Sequence, residues 1–325
     1  MVIYMKHRIL AFLLAAAVLL LGGCRGGAPA ESAPESAAPT VWRYAALGDS
    51  IPAGYGLADG EKSYPERLRD QIGAAYDRVE FSNFAVSGYT TAQLEAQVSA
   101  LLTGGGDAQR LLETADAVTI CIGGNNLLGP LSAELQQLFS GITSPADLAG
   151  LSLTELGQLV LGIQSFLSGG RLQEITDEGC RQLEEDLPAA IGLLREHNPD
   201  ACIVLMTVYN PYDGVVLKSG DAAILDLGAV VAPYMEQLCA AIRRTAEENG
   251  CRLADAAAAF ADAGSASRLV NAHVDGDDWG TLEIDPHPTA AGHELLAEVH
   301  RPLLEAAAGQ PPVSGTSAGD SRLPG

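Results

Sequence analysis

The stretch Tyr44-Ala45-Ala46-Leu47-Gly48-Asp49-Ser50-Ile51-Pro52-Ala53-Gly54-Tyr55-Gly56 decides the fold. Its first half is a run of small apolar residues, the pattern of a strand buried on both faces. The run stops at Gly-Asp-Ser, where Gly48 permits a tight turn and Gly54 and Gly56 keep the next loop small. A serine at the carboxyl end of a strand lies where open α/β sheets bind their ligands. Ser50 has two readings at this point: a reactive hydroxyl, or an N-cap on the helix that follows.

Outward from that loop the same alternation recurs. Residues 64–76 and 94–102 carry apolar positions at helical spacing, and residues 79–85 alternate like a short strand. Residues 115–122 form a continuous apolar run closed by Gly123-Gly124-Asn125-Asn126. Residues 202–208 form another, running out into Tyr209-Asn210-Pro211-Tyr212. Amphipathic helices are expected over 178–197 and 230–249, stopped by Pro199 and Gly250. Residues 251–255 read as a short last strand and 274–284 as a polar loop. Asp285-Pro286-His287-Pro288-Thr289 then leads into a C-terminal helix over 290–308. Strands that end in polar, Gly-rich loops and alternate with helices predict a parallel sheet covered on both faces, an α/β fold.

Residues 127–172 break the alternation. They are dense in Leu, Ile, Val and Phe, poor in charge, and interrupted by Gly141, Pro145, Gly150, Gly157 and Gly169. Two or three short apolar helices are expected here. They either extend the core or cap the site after Asn125 and shape an apolar acyl pocket.

The ends of the chain are of another kind. Lys6, His7 and Arg8 precede an apolar stretch over 9–21 that is short for a membrane span. Leu21-Gly22-Gly23-Cys24 resembles the lipobox of bacterial lipoproteins, in which the cysteine is acylated and becomes the new first residue. Residues 1–24 therefore read as a lipoprotein signal, and 25–40, rich in Ala, Pro, Ser, Gly and Glu, as a flexible tether. A domain over 41–308 and a disordered tail over 309–325 complete the expected layout. The expected location is outside the cytoplasm, anchored to the bacterial membrane by lipid.

Composition bounds the partners. The 325 residues are 47% hydrophobic, enough for a sizeable core. A formal charge of −22 provides no basic footprint for phosphates and argues against nucleic acid. Asp275, Asp277 and Asp278 match only fragments of a calcium loop and read as a solvated turn. Beyond Cys24 five cysteines remain without metal-ligand spacing; a Cys239–Cys251 bridge is open in an exported protein.

Acyl transfer by serine needs a nucleophile, a base, a group that orients the base, and donors for the oxyanion. Ser50 offers the nucleophile and His287 the base. Asp285 is the nearest acid, with Glu283 or a backbone carbonyl as the alternative orienting group. Gly88 offers a backbone N–H and Asn125 a side-chain amide. All stand at strand ends or before a helix, on one edge of the expected sheet.

Gly48-Asp49-Ser50, Asn83-x-Ala85-x-Ser87-Gly88-x-Thr90, Gly123-x-Asn125-Asn126 and Asp285-x-His287-Pro288 resemble, in order, the four blocks of the GDSL (SGNH) hydrolase family. The similarity is greatest to its bacterial lipase/acylhydrolase branch, often found on exported lipoproteins. The resemblance implies a flavodoxin-like three-layer α/β/α domain with Ser50 as nucleophile and His287 as base. It implies an oxyanion hole from Ser50 N–H, Gly88 N–H and Asn125, and no metal or other cofactor. Two positions depart from the family pattern. The acid stands two residues before the histidine rather than three, where Ile284 lies, and Asn126 replaces a common Asp.

The expected function is a serine ester hydrolase acting on lipid or small-molecule esters. Two alternatives stand beside it: a carbohydrate O-acetylesterase of the same fold, disfavoured by 5% aromatic content, and a lipoprotein that only binds ligand. Of the other histidines, His197, His273, His293 and His300 read as packing or solvated residues.

Overall fold

The computed structural model describes residues 39–138, 150–219, 221–264, 268–276 and 278–308. The expected signal segment with Cys24, the tether up to residue 38, residues 139–149 of the insertion and the 309–325 tail lie outside the described residues.

In chain order, β1 (Val41–Gly48) leads through the one-turn α1 (Ser50–Ala53) to α2 (Tyr64–Gly73) and β2 (Arg78–Asn83). Helices α3 (Thr91–Thr103) and α4 (Gly106–Thr114) precede β3 (Ala117–Cys121). Then come α5 (Gly124–Leu138), α6 (Leu153–Ser168), α7 (Arg171–His197) and β4 (Cys202–Met206). A hairpin of β5 (Val216–Ser219) and β6 (Ala222–Asp226) enters α8 (Leu227–Glu248), followed by β7 (Arg252–Ala254) and α9 (Ala256–Ala263). A second hairpin, β8 (His273–Asp275) and β9 (Asp278–Glu283), precedes α10 (Ala290–Ala308).

Five strands form one parallel sheet in the order β2-β1-β3-β4-β7, the flavodoxin-like order. Tyr44 of β1 pairs with Phe81 of β2 on one side and Ala117 of β3 on the other. The winding direction reverses between β1 and β3, which opens a crevice at their carboxyl ends. Ser50 follows β1 and Asn125 follows β3, so both stand at that crevice.

Strand side chains alternate between two cores, as the pleat requires. Ala45, Leu47, Val118, Ile120, Ile203 and Leu205 face one layer, with Leu94 and Val98 of α3, Leu183 and Leu187 of α7, and Leu238 and Ile242 of α8. Trp42, Tyr44, Ala46, Val204 and Met206 face the other, with Tyr64 and Leu68 of α2, Phe260 of α9 and Leu296 of α10. The three-layer arrangement expected from the alternation is the one observed.

Several local expectations need correction. The expected 274–284 loop instead holds the β8–β9 hairpin, turned at Gly276 (φ +64°); β8 is three residues long, too short to show a strand pattern of its own. The expected helix over 178–197 starts earlier, at Arg171, because Ile175 and Thr176 pack inward and continue its buried stripe. Leu172 thus belongs to α7 and not to a separate insertion. Asn125 and Asn126 sit in the first turn of α5 rather than in a loop. Helices α4 and α9 are 9 and 8 residues long, too short for periodicity to single them out. Cys239 and Cys251 are free thiols, and Cys239 Sγ donates to the Val208 carbonyl at 3.0 Å.

Candidate active site

The site begins with the turn after β1. Gly48 has φ +136°, and a Cβ there would lie 1.9 Å from the Cys121 carbonyl oxygen, so the turn admits no side chain. Asp49 N–H donates to that carbonyl at 3.1 Å, joining the ends of β1 and β3. Asp49 Oδ1 accepts the Ile51 N–H at 3.1 Å and caps α1. The capping role therefore falls to Asp49, and the Ser50 hydroxyl is left for another partner. Burial pushes the Asp49 carboxyl up to about 7, against the backbone hydrogen bond from Ile51.

That partner is His287. Its Nε2 lies 2.9 Å from Ser50 Oγ, and its Nδ1 lies 2.5 Å from Asp285 Oδ1. The geometry fits an Nδ1–H donated to the carboxylate and an Nε2 lone pair facing the hydroxyl. Asp285 Oδ1 also accepts the His287 backbone N–H at 3.1 Å, and Asn271 Nδ2 donates to Oδ2 at 3.1 Å. Partial burial pushes the Asp285 carboxyl up, but the hydrogen bonds from His287 and Asn271 outweigh burial and hold it below its ordinary value. Glu283 points elsewhere, its Oε2 3.9 Å from His273 Nδ1. The Tyr55 ring stands 4.4 Å from the His287 ring, and Tyr209 Oη donates to the Pro286 carbonyl at 2.9 Å.

The donor side is built from β2 and β3. The turn bearing Gly88 is tied to the turn bearing Ser50 by Val86 N–H on the Gly48 carbonyl at 3.0 Å. Asn125 Nδ2 donates to the Tyr89 carbonyl at 2.9 Å, which uses one amide hydrogen and leaves the other. Ser50, Asn125 and His287 line one cavity; Gly88 stands on the neighbouring turn and is not part of its lining. Asn126, buried, accepts from Thr91 N–H at 3.1 Å and donates to Thr91 Oγ1 at 2.7 Å. It braces α3 against α5.

The cavity, about 100 Å³, runs from Ser50 between helices. Leu127, Leu128 and Leu131 of α5 and Leu172 and Ile175 of α7 line it. Val231, Tyr234, Met235 and Leu238 of α8 line it as well. The α8 residues were missed from sequence, although their i, i+3, i+4, i+7 spacing is an apolar stripe. Asn271 was missed as well. Among the described residues the exposed large apolar side chains are Tyr55, Val86, Leu161, Leu282 and Ile284. No metal-binding group of three His, Cys, Asp or Glu side chains, and no helix long and apolar enough to cross a membrane, occurs among the described residues.

Residues 46–295 match the GDSL-like Lipase/Acylhydrolase family. The chain belongs to this family. It is thereby a carboxylic ester hydrolase. Solved structures agree on the fold of this GDSL-family protein. The lipase Lip_vut3 from a goat rumen metagenome is 18% identical, with a TM-score of 0.52, covering 81% of this chain and 97% of that one. Phospholipase A1 from Streptomyces albidoflavus NA297 is 20% identical, with a TM-score of 0.51, covering 83% of this chain and all of that one (100%). No curated protein matches the sequence.

Proposed function

We propose that this GDSL hydrolase cleaves esters of apolar acyl chains through a Ser50–His287–Asp285 triad. The observation that carries the reading is the hydrogen-bonded chain from Ser50 Oγ to His287 (2.9 Å) and on to Asp285 (2.5 Å), at the mouth of an apolar cavity. Ser50 Oγ adds to the ester carbonyl while its proton passes to His287 Nε2. The carbon–oxygen bond to the alcohol then breaks, and Nε2–H protonates the departing oxygen. Water adds to the acyl-serine and gives a proton to Nε2; the bond between the acyl carbon and Ser50 Oγ then breaks, and Nε2–H returns the proton to Oγ as the acid leaves. Asp285 holds the Nδ1–H tautomer and stabilises the imidazolium. The backbone N–H groups of Ser50 and Gly88 and the remaining amide hydrogen of Asn125 stabilise the oxyanion.

The Leu, Ile, Val and Met lining supports an acyl chain longer than acetyl as the group bound there. Each buried methylene contributes about 0.8 kcal/mol. An octanoyl ester has six more than an acetyl ester, worth up to roughly 5 kcal/mol if all were buried. Partial burial makes kcat/KM for p-nitrophenyl octanoate about ten to a thousand times that for the acetate. A profile highest for acetate contradicts the apolar-acyl reading and favours O-acetyl esters. We further propose that Cys24 is lipidated and tethers the domain outside the cytoplasm, supported by the Leu21-Gly22-Gly23-Cys24 sequence after a basic and apolar leader. Cys24→Ala should move the protein from the membrane to the soluble fraction; unchanged membrane association contradicts the tether.

A further inference from the structure

Asp285 stands two residues before His287, and this spacing leaves the carboxylate held on one edge only by its own loop. A single oxygen, Oδ1, turns back to accept the His287 backbone N–H at 3.1 Å and to meet the ring Nδ1 at 2.5 Å. This is an Asx turn with the ring added. The other oxygen, Oδ2, has no partner within the 285–289 loop. Left free, the carboxylate can rotate about its terminal torsion, which is broad and roughly two-fold.

Asn271 supplies the missing hold. Its Nδ2 donates to Asp285 Oδ2 at 3.1 Å. Its own backbone is fixed on both sides: the N–H donates to the His287 carbonyl at 3.0 Å, and the carbonyl accepts from His273 Nδ1 at 2.7 Å. Val270 bridges Pro288 in antiparallel fashion, and the Leu269 carbonyl accepts the Thr289 N–H at 2.9 Å. Residues 269–271 thus form a strap bonded along the histidine loop, and Asn271 is the position on it that reaches the acid. The nucleophile loop closes over the same group. A Cβ added at Gly56 would lie 3.3 Å from Asn271 Nδ2, 3.6 Å from His287 Cβ and 3.7 Å from Asp285 Oδ2.

We propose that Asn271 is a positioning residue for the triad: it fixes the plane of the Asp285 carboxylate so that Oδ1 stays on His287 Nδ1. The proposal rests on the Ser50–His287–Asp285 reading and adds a fourth residue to it. Orienting partners of this kind, measured at metal sites, are worth about ten- to a hundredfold in activity.

A double-mutant cycle in the full chain tests it. Asn271→Ala should lower kcat about ten- to a hundredfold for acetate and octanoate esters alike, with KM within about twofold. In an Asp285→Ala background the same change should cost nothing further, because the group it acts through is gone. Asn271→Asp keeps the shape but sets an oxygen against Oδ2, and should lose at least as much as the alanine variant. Losses that multiply fully with Asp285→Ala, a loss carried only by KM or by the thermal midpoint, or a wild-type rate in Asn271→Asp each overturn the positioning role. If the alanine variant does not fold, the isosteric aspartate variant carries the cycle. A wild-type rate in Asp285→Ala alone has a different meaning: it removes the acid from the triad reading itself.

Discussion

The two walls of the cleft are built on different physics. One wall is polar: the turn bearing Ser50, the 285–289 loop and the 269–271 strap are cross-linked by hydrogen bonds between 2.5 and 3.1 Å. The other is apolar: α5, α7 and α8 present Leu128, Leu131, Ile175, Val231 and Met235 to the cavity. Hydrogen bonds are directional and place atoms, whereas apolar burial is non-directional and scales with area. The polar wall should therefore set the rate of chemistry for every ester, and the apolar wall the choice among acyl groups.

The sharpest way to break this division is at the acid. Asp285→Asn should lower kcat by about 10⁴ while leaving the octanoate-to-acetate ratio unchanged. Glu283→Gln, beside His273, should stay near wild type in the same assay. A changed ratio in the first variant, or a larger loss in the second, contradicts the division or the acid.

Next comes Asn125, the proposed oxyanion donor. Asn125→Ala should reduce kcat by about 10² to 10³ for short and long esters equally, with KM little changed. A loss seen only in KM would make Asn125 a ground-state binding group.

A third prediction concerns the footing of the polar wall. Helix α10, directly after the His287 loop, packs on α2 through two buried histidines around Tyr64. His293 Nδ1 accepts the Tyr64 N–H at 3.2 Å, and His300 Nδ1 donates to the Leu296 carbonyl at 2.7 Å. Burial lowers both to about 4 from 6.5. The unfolded chain takes up these protons first, so the stability they allow is full above pH 6.5 and falls as pH drops toward 4. Each histidine should cost about 2 kcal/mol between pH 7 and pH 5. Asp49, raised to about 7, has the opposite sign and favours the fold as pH falls. His300→Phe should therefore remove about 2 kcal/mol of the acid loss seen in urea melts at pH 7 and pH 5. An identical loss in variant and wild type places the acid sensitivity elsewhere.

The smallest expected effect is on the apolar wall. Met235→Ala should lower kcat/KM for octanoate about tenfold, the worth of one to two buried methylenes, and spare acetate. An equal loss for both esters means that α8 supports the catalytic geometry rather than the acyl chain.

Legibility in the sequence follows the same division. Ser50 stood out because only glycine fits at position 48 beside it, so the block around it is conspicuous; Asp285 and His287 were candidates by residue type alone, with Glu283 left open as the orienting acid. The buried strands were readable because β1, β3 and β4 are apolar on both faces. The α8 part of the cavity lining was not, because Val231, Tyr234 and Met235 look like any helix stripe until α8 is seen to line the same cavity as Ser50. Asn271 was invisible for a related reason. Its meaning lies in a contact with Asp285, 14 residues away, made through a strap with no periodicity of its own. The β8–β9 hairpin was hidden because β8 is only three residues long.

The most direct test is covalent trapping at Ser50. Purified protein treated with an alkyl fluorophosphonate, then digested and analysed by mass spectrometry, should carry one adduct, on the peptide that contains Ser50. Ser50→Ala should carry none and should not turn over p-nitrophenyl octanoate, while keeping the wild-type melting curve. An adduct on another residue, or undiminished turnover by Ser50→Ala, would contradict the triad and with it the assignment of the two walls.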